Sequence, residues 1–292
     1  MKVLVTGATG QLGWDVMKEL EKRGIDCRGT GSKDLDITDR DTVMQYIGTY
    51  RPDAVIHCAA YTAVDKAEDE PEICRKVNAD GTSYIAEACK MVDAKMIYIS
   101  TDYVFGDDGN KPHEVDDPPH PLNVYGQTKW EGEEAVRRIL EKYFIVRISW
   151  VFGEHGNNFV KTMLRLGKTR KEISVVADQF GAPTYTADLA PLLCDMILTE
   201  KYGTYHACNS GCCSWAEFAQ EIFKIEGMDV KVIPIKTEEY PVKAKRSKNS
   251  RLGITTLENN GFNVRPNWKR SLRYFLDWKG NYNGYKDFSS DT

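Results

Sequence analysis

The chain has 292 residues, enough for two domains of ordinary size and for a core that needs no disulfides. Hydrophobic residues make up 41% and charged residues 28%, which excludes a disordered or collagen-like chain. Lys and Arg total 39 against 43 Asp and Glu, a net charge of -4 without a long basic run. Neither nucleic acid nor an anionic membrane is therefore an expected partner, and small-molecule chemistry comes first.

In chain order, short Val/Ile-rich runs alternate with helix-length segments. The strands are expected at Lys2–Thr6, Cys27–Thr30, Ala54–Ala60, Lys95–Thr101 and Phe144–Val151. Between them, Leu12, Val16 and Leu20 mark a helix stopped by Gly24, followed by helices at Asp41–Tyr50, Pro71–Val92 and Gln127–Tyr143. This rhythm predicts an α/β fold with a doubly wound parallel sheet of the Rossmann type, its ligand at the carboxyl ends of the strands. After Trp150 the pattern becomes irregular and reads as a smaller C-terminal substrate lobe. Strands are expected at Ile173–Ala177, Thr204–Cys208 and Val230–Ile235, a helix opened by a Ser214/Glu217 capping box, and a helix at Pro266–Asp277. The expected division is a dinucleotide-binding domain at 1–150, with about 176–209 returning to it. The substrate lobe takes 151–175 and about 210–278, and 279–292 forms a polar tail.

The N-terminus reaches Gly7 too soon for a secretory signal, and no apolar run approaches the ~18 residues of a spanning helix, so a cytoplasmic protein is expected. The eight cysteines form no CxxC pair, and reduced, mostly buried thiols are the expectation. Cys212 and Cys213 with His206 lack four ligands at zinc spacing, so no metal is expected there.

The first chemical signal is Thr6-Gly7-Ala8-Thr9-Gly10-Gln11-Leu12-Gly13, placed directly after the first strand and opening the first helix. In that context Gly7 permits the tight turn, Gly10 lets the backbone approach a pyrophosphate, and Gly13 lets helix and strand pack closely. The helix N-terminus favours the phosphate charge. At the end of the second strand, where a carboxylate usually reads the ribose 2'-hydroxyl, stand Arg28-Gly29-Thr30-Gly31-Ser32-Lys33. Hydroxyls and cations without a carboxylate point to NADPH, with NADH also admitted.

The second signal is Tyr125-Gly126-Gln127-Thr128-Lys129 at a helix start, whose spacing puts phenol and ammonium on one face. A second YxxxK, Tyr282 to Lys286, lies in the polar tail and is read as a decoy. A neighbouring cation lowers a phenol's pKa, and Lys129 is expected to do so for Tyr125. Ser100 or Thr101, where the fourth strand ends, would orient a substrate carbonyl. His113 and His120 read as solvated loop residues, and Glu68, Asp69 and Glu70 as an exposed acidic helix start.

With these blocks, the stretch Ala59-Ala60-Tyr61-Thr62-Ala63-Val64-Asp65 and the stretch Asp178-Gln179-Phe180-Gly181-Ala182-Pro183-Thr184, the chain resembles the extended short-chain dehydrogenase/reductases. Within them it is most similar to the branch that reduces a 4-keto deoxysugar carried on dTDP. The resemblance implies NAD(P)H-dependent reduction of dTDP-6-deoxy-L-lyxo-4-hexulose to dTDP-L-rhamnose. Tyr125 would be the proton donor, Thr101 a hydrogen bond to the developing alkoxide, and Lys129 the holder of the nicotinamide ribose. It places Gly7, Gly10, Gln11, Leu12, Gly13, Asp36, Ile37, Ala59, Ala60, Tyr61 and Ser100 around the cofactor. Thr62, Val64, Tyr103 and Trp150 would form the sugar pocket. The sequence leaves open a homodimer, another nucleotide-sugar reductase or epimerase of this fold, and a non-catalytic NADP-binding regulatory subunit.

Overall fold

The computed structural model describes residues 1–107 and 109–281. The first half runs β1 (Lys2–Thr6), α1 (Gln11–Lys22), β2 (Asp26–Thr30), α2 (Arg40–Tyr50), β3 (Ala54–His57), α3 (Val64–Ala67), α4 (Pro71–Arg75), α5 (Gly81–Val92), β4 (Lys95–Thr101), α6 (Val124–Ile139) and β5 (Tyr143–Ile148). The second half runs β6 (Val151–Phe152), α7 (Phe159–Gly167), β7 (Glu172–Val176), β8 (Phe180–Gly181), β9 (Thr184–Tyr185), α8 (Thr186–Ile197) and β10 (Gly203–His206). It ends with β11 (Cys213–Ser214), α9 (Trp215–Ile225), β12 (Lys231–Ile235), β13 (Asn249–Ser250), α10 (Thr255–Asn259) and α11 (Trp268–Asn281).

Six strands form one sheet in the order β2-β1-β3-β4-β5-β10, parallel throughout. Val3, Val5, Ile56 and Ile97 face α1 and α8, while Leu4, Val55, Met96 and Tyr98 face the helices of the opposite side. Burial on both faces is why these strands read as continuous apolar runs rather than alternating ones. The order reverses between β1 and β3, which opens a crevice at their carboxyl ends. The expected doubly wound parallel sheet is the fold observed.

The second lobe has its own core around Phe152, Met163, Phe218, Phe223, Leu272 and Phe275. Its α9 starts with the expected capping box between Ser214 and Glu217, and β12 pairs parallel with β7. The segment from α10 to Phe262 instead packs on the sheet, since Leu257 and Phe262 join the core beneath α8.

Four expectations about elements are corrected. The helix expected across Pro71–Val92 is broken by a π-turn at Lys76–Asp80, where the buried Asn78 side chain bonds both backbone groups of Tyr61. The third strand ends at His57, not Ala60, because the chain there leaves the sheet to line the crevice. The strand expected to Val151 stops at Ile148, since Trp150 takes a left-handed backbone with φ of 49°. Helix α11 reaches Asn281, so residues 279–281 of the expected tail are helical, and the second YxxxK lies outside the described residues.

Candidate active site

A cleft of about 650 Å³ follows the carboxyl ends of β1, β3 and β4. Gly7, Gly10, Gln11, Leu12 and Gly13 line one end of it. Gly7 has φ of 67°, and a Cβ there would sit 2.6 Å from the Ala59 nitrogen, so only glycine allows the turn to pass β3 this closely. Helix α1 is preceded at its N-cap by Gly10, which offers no side-chain cap and leaves first-turn N–H groups available to an anion. The second lobe reaches over this turn: Asn158 donates to Gln11 Oε1 at 3.0 Å, and His155 stacks on Trp14 at 4.5 Å.

Beyond the glycine turn, Asp36, Ile37, Ala59 and Ala60 line the cleft. Asp36 accepts from the Thr38 hydroxyl and N–H, which hold its carboxyl below the usual range. Tyr61 is absent from the lining; its phenol donates to Glu70 at 2.8 Å and its N–H to Asn78, which turn the side chain away. At the ribose end, Thr30, Gly31 and Ser32 face the cleft but Arg28 and Lys33 do not. Arg28 leaves on the other side of β2, its guanidinium 4.4 Å from the Tyr50 ring centre. An uncapped helix start, a close-passing glycine and a ribose end lined by Thr30, Gly31 and Ser32, with the Asp34 carboxylate engaged by the Gly31 N–H, fit a bound dinucleotide.

Deeper in, Ser100, Thr101, Tyr125 and Lys129 line the same cleft. Asn123 caps α6 by accepting the Gly126 N–H at 2.8 Å, and Glu68 accepts the Val124 N–H at 2.8 Å. Glu68 is thus a cap on the helix that carries Tyr125, rather than part of an idle acidic surface, while Asp69 pairs with Lys243. Gly126 lies directly against the Tyr103 carbonyl, with no room for a Cβ. This contact brings the turn after β4 onto the start of α6, so the Thr101 hydroxyl meets the Tyr125 phenol.

Lys129 is 2% exposed, and its Nζ donates to the Ile99 carbonyl at 2.7 Å while lying 4.1 Å from the Tyr98 ring centre. Burial pushes its pKa down to about 7, with Glu133 opposing. Burial, then the Asp102 charge, push the Tyr125 phenol above its ordinary value, and the Thr101 hydrogen bond only partly offsets this. The expected lowering by Lys129 is therefore not what dominates here, because desolvation acts on both groups and the ammonium is directed at a carbonyl. Behind them, Glu133 accepts from Ser100 Oγ at 2.5 Å and from Arg147 Nε and Nη2 at 2.9 and 2.8 Å.

Thr62, Val64, Tyr103 and Trp150 line the mouth of the cleft beyond Tyr125. Tyr103 meets Tyr125 edge-on at 5.5 Å, and its phenol hydrogen-bonds Arg246, itself paired to Asp65 at 2.7 and 3.1 Å. Arg246, Ser247 and Trp215 extend the mouth as a smaller pocket shared with Tyr103 and Trp150. His120 is exposed as expected, but His113 is buried, stacked on Phe105 at 4.4 Å and bonded to the Asn249 carbonyl. The strand-like bridge of His113 to Leu252 draws it inward.

The family described as RmlD substrate binding domain matches residues 1–279. The chain belongs to this family. Among its relatives, a dTDP-4-dehydrorhamnose reductase of Aggregatibacter actinomycetemcomitans is 42% identical, covering 93% of this chain and 97% of its own. The spore coat polysaccharide biosynthesis protein SpsK of Bacillus subtilis strain 168 is 41% identical, covering 94% and 96%. The crystal structure of a dTDP-4-dehydrorhamnose reductase from Bacillus anthracis in complex with NADP is 48% identical. It superposes with a TM-score of 0.93, covering 95% of this chain and all of that one.

Within this RmlD-family chain, residues beyond those foreseen face the same cleft or support it. Asp102 lines the cleft, and Asn78, Glu133 and Arg246 hold its walls. Asp102 stood inside the Thr-Asp-Tyr block, where a hydroxyl was the expected feature and the carboxylate gave no separate signal. Arg246 sits far along the chain from Asp65, and only the fold sets the two opposite each other.

Proposed function

We propose that this chain reduces the 4-keto group of dTDP-6-deoxy-L-lyxo-4-hexulose to give dTDP-L-rhamnose, using NAD(P)H. The observation that carries this reading is one cleft that joins an uncapped glycine turn to Thr101, Tyr125 and Lys129. Bound NAD(P)H supplies the hydride. Tyr125 gives its phenolic proton to the carbonyl oxygen as negative charge develops there, and Thr101 hydrogen-bonds that oxygen. Lys129, on the same helix face, is the group to hold the nicotinamide ribose hydroxyls, exchanging its Ile99 carbonyl contact for them. Thr62, Val64, Tyr103 and Trp150 hold the deoxysugar with the reacting carbon toward Tyr125. The ribose end presents the Thr30 and Ser32 hydroxyls while the nearby Asp34 carboxylate is taken up by the Gly31 N–H, which favours NADPH while admitting NADH.

Incubation with the dTDP-linked 4-keto sugar tests this. Reduced-nicotinamide absorbance should fall in equimolar step with a dTDP-L-rhamnose product identified by NMR. An epimerase would convert its substrate without consuming the reduced cofactor, and a regulatory subunit would bind NADP and do neither.

A further inference from the structure

Asp102 follows Thr101 at the end of β4, is 3% exposed and is one of the residues lining the cleft. Its Oδ1 accepts from the Thr101 hydroxyl at 2.9 Å, and the same hydroxyl meets the Tyr125 phenol. Its Oδ2 is buried without a hydrogen bond of normal geometry, with the Ser250 hydroxyl of β13 facing it. The titratable groups around it are Tyr103 on its own turn, Tyr125 on α6 and Cys208 after β10. Among the described residues, none of these supplies a positive charge. A buried carboxylate with no cation is costly as an anion, and burial raises the Asp102 pKa to about 6.

Resting on the reductase reading above, we propose that Asp102 holds the proton that restores Tyr125 after each turnover, passing it through the Thr101 hydroxyl. As hydride arrives at the carbonyl carbon, the Tyr125 O–H bond breaks and the proton joins the sugar oxygen. The phenolate then takes the Thr101 hydroxyl proton, Thr101 takes the Asp102 carboxyl proton, and Asp102 regains one from water in the cleft. One hydride and one solvent proton are consumed per alcohol formed. Asp102 acts through Thr101 and is a positioning and proton-holding residue.

The test separates the first turnover, which uses the proton already on Tyr125, from the later ones, which need it replaced. Asp102→Asn keeps the shape and is expected to leave the stopped-flow first turnover within about twofold. Its steady-state rate should fall at least ~10-fold and recover as imidazole is raised at constant pH and ionic strength. Thr101→Val cuts the same wire at its other member and should also respond to imidazole, while Thr101→Ser should not need it. Difference infrared spectra of the NADP+ complexes, unmutated minus Asp102→Asn, should show a carboxylic acid band that titrates near the pKa of about 6. An Asp102→Asn rate that ignores imidazole, or a carboxyl band absent at every pH, overturns the proposal. If the unmutated protein consumes no NADPH with the keto sugar, the functional reading falls and takes the proposal with it. An active protein with an imidazole-blind Asp102→Asn variant removes the proposal alone.

Discussion

The indole of Trp150 lies on that of Trp215, ring centres 3.7 Å apart and planes 12° from parallel. Trp150 reaches this position through a backbone φ of 49°, a conformation that costs a bulky residue about 1–3 kcal/mol. Stacking contributes only about 0.5–1.5 kcal/mol beyond area burial, so the stack alone does not explain why the strain is kept. The indole faces both the cleft and the smaller pocket beside it, which places the benefit in ligand binding. Trp150→Ala should raise KM for the nucleotide sugar at least ~10-fold with NADPH affinity unchanged. Trp150→Gly should be more stable than the alanine variant, because glycine accepts the positive φ, yet share its high KM. Steady-state kinetics with thermal melts check both halves; equal KM values in all three proteins would sink the idea.

Tyr125→Phe removes one hydroxyl and leaves the edge-on packing against Tyr103 in place. A positioned general acid contributes about 10²–10⁴ in rate, so kcat should fall by that range. NADPH affinity, read by fluorescence titration, should not move. A rate near that of the unmutated protein would show that another group delivers the proton.

Periodicity and glycine placement made the sheet, its parallel connections and the first-turn site legible, because strands buried on both faces and a strand-glycine-helix junction are local signals. Tyr125 and Lys129 were readable for the same reason, being one turn apart on one helix. Side-chain direction was not. Arg28 alternates to the far face of β2, and Tyr61 is turned by Asn78 and Glu70, contacts made across 17 and 9 positions of chain respectively. The electrostatic balance at Lys129 was equally hidden, since it depends on burial beneath neighbours that spacing does not reveal. Asp65 and Arg246, 181 positions apart, meet only once both lobes are folded.

Ser32 faces the ribose end of the cleft and the nearby Asp34 carboxylate is occupied by the Gly31 N–H at 2.8 Å. Introducing a carboxylate with Ser32→Asp should repel a 2'-phosphate and offer an acceptor to a 2'-hydroxyl. The kcat/KM for NADPH should drop at least ~10-fold, about 1.4 kcal/mol, with NADH retained or improved. An unchanged ratio between the two cofactors would mean that the 2' group lies elsewhere.

Glu133 is fully buried, and although burial alone would raise its pKa, bonds from Arg147 together with Arg137 and Ser100 hold it below the ordinary value. Removing one member of such a pair leaves the other charge buried and alone, at a cost of about 3–5 kcal/mol. Glu133→Leu should therefore destabilise the protein by that amount in urea unfolding. Adding Arg147→Met should return part of the loss, since the orphaned charge goes too. Strictly additive losses would show that Glu133 and Arg147 are not coupled as the 2.8 and 2.9 Å contacts require.

His57 and His206 are 0% exposed, and burial pushes both pKa values from 6.5 down to about 3, helped by Lys129 and by Arg147 respectively. In the unfolded chain each histidine binds a proton below about pH 6.5, whereas in the folded protein each waits until about pH 3. Their contribution to stability is complete above pH 6.5 and is lost as pH falls toward 3, about 1.4 kcal/mol per pH unit for each. Asp102 has the opposite sign: its folded pKa of about 6 exceeds the ordinary 3.8, so falling pH through that interval adds stability at the same slope. Between about pH 6 and 4 it cancels one histidine, leaving a net loss of about 1.4 kcal/mol per unit from these three groups. His57→Gln, which can still bond Thr6 and Thr82, should make the measured slope shallower by about 1.4 kcal/mol per pH unit, and Asp102→Asn should steepen it by as much. Urea unfolding at four pH values across this range measures the slopes; the same slope in all three proteins would mean that these buried groups are not what sets the acid limit.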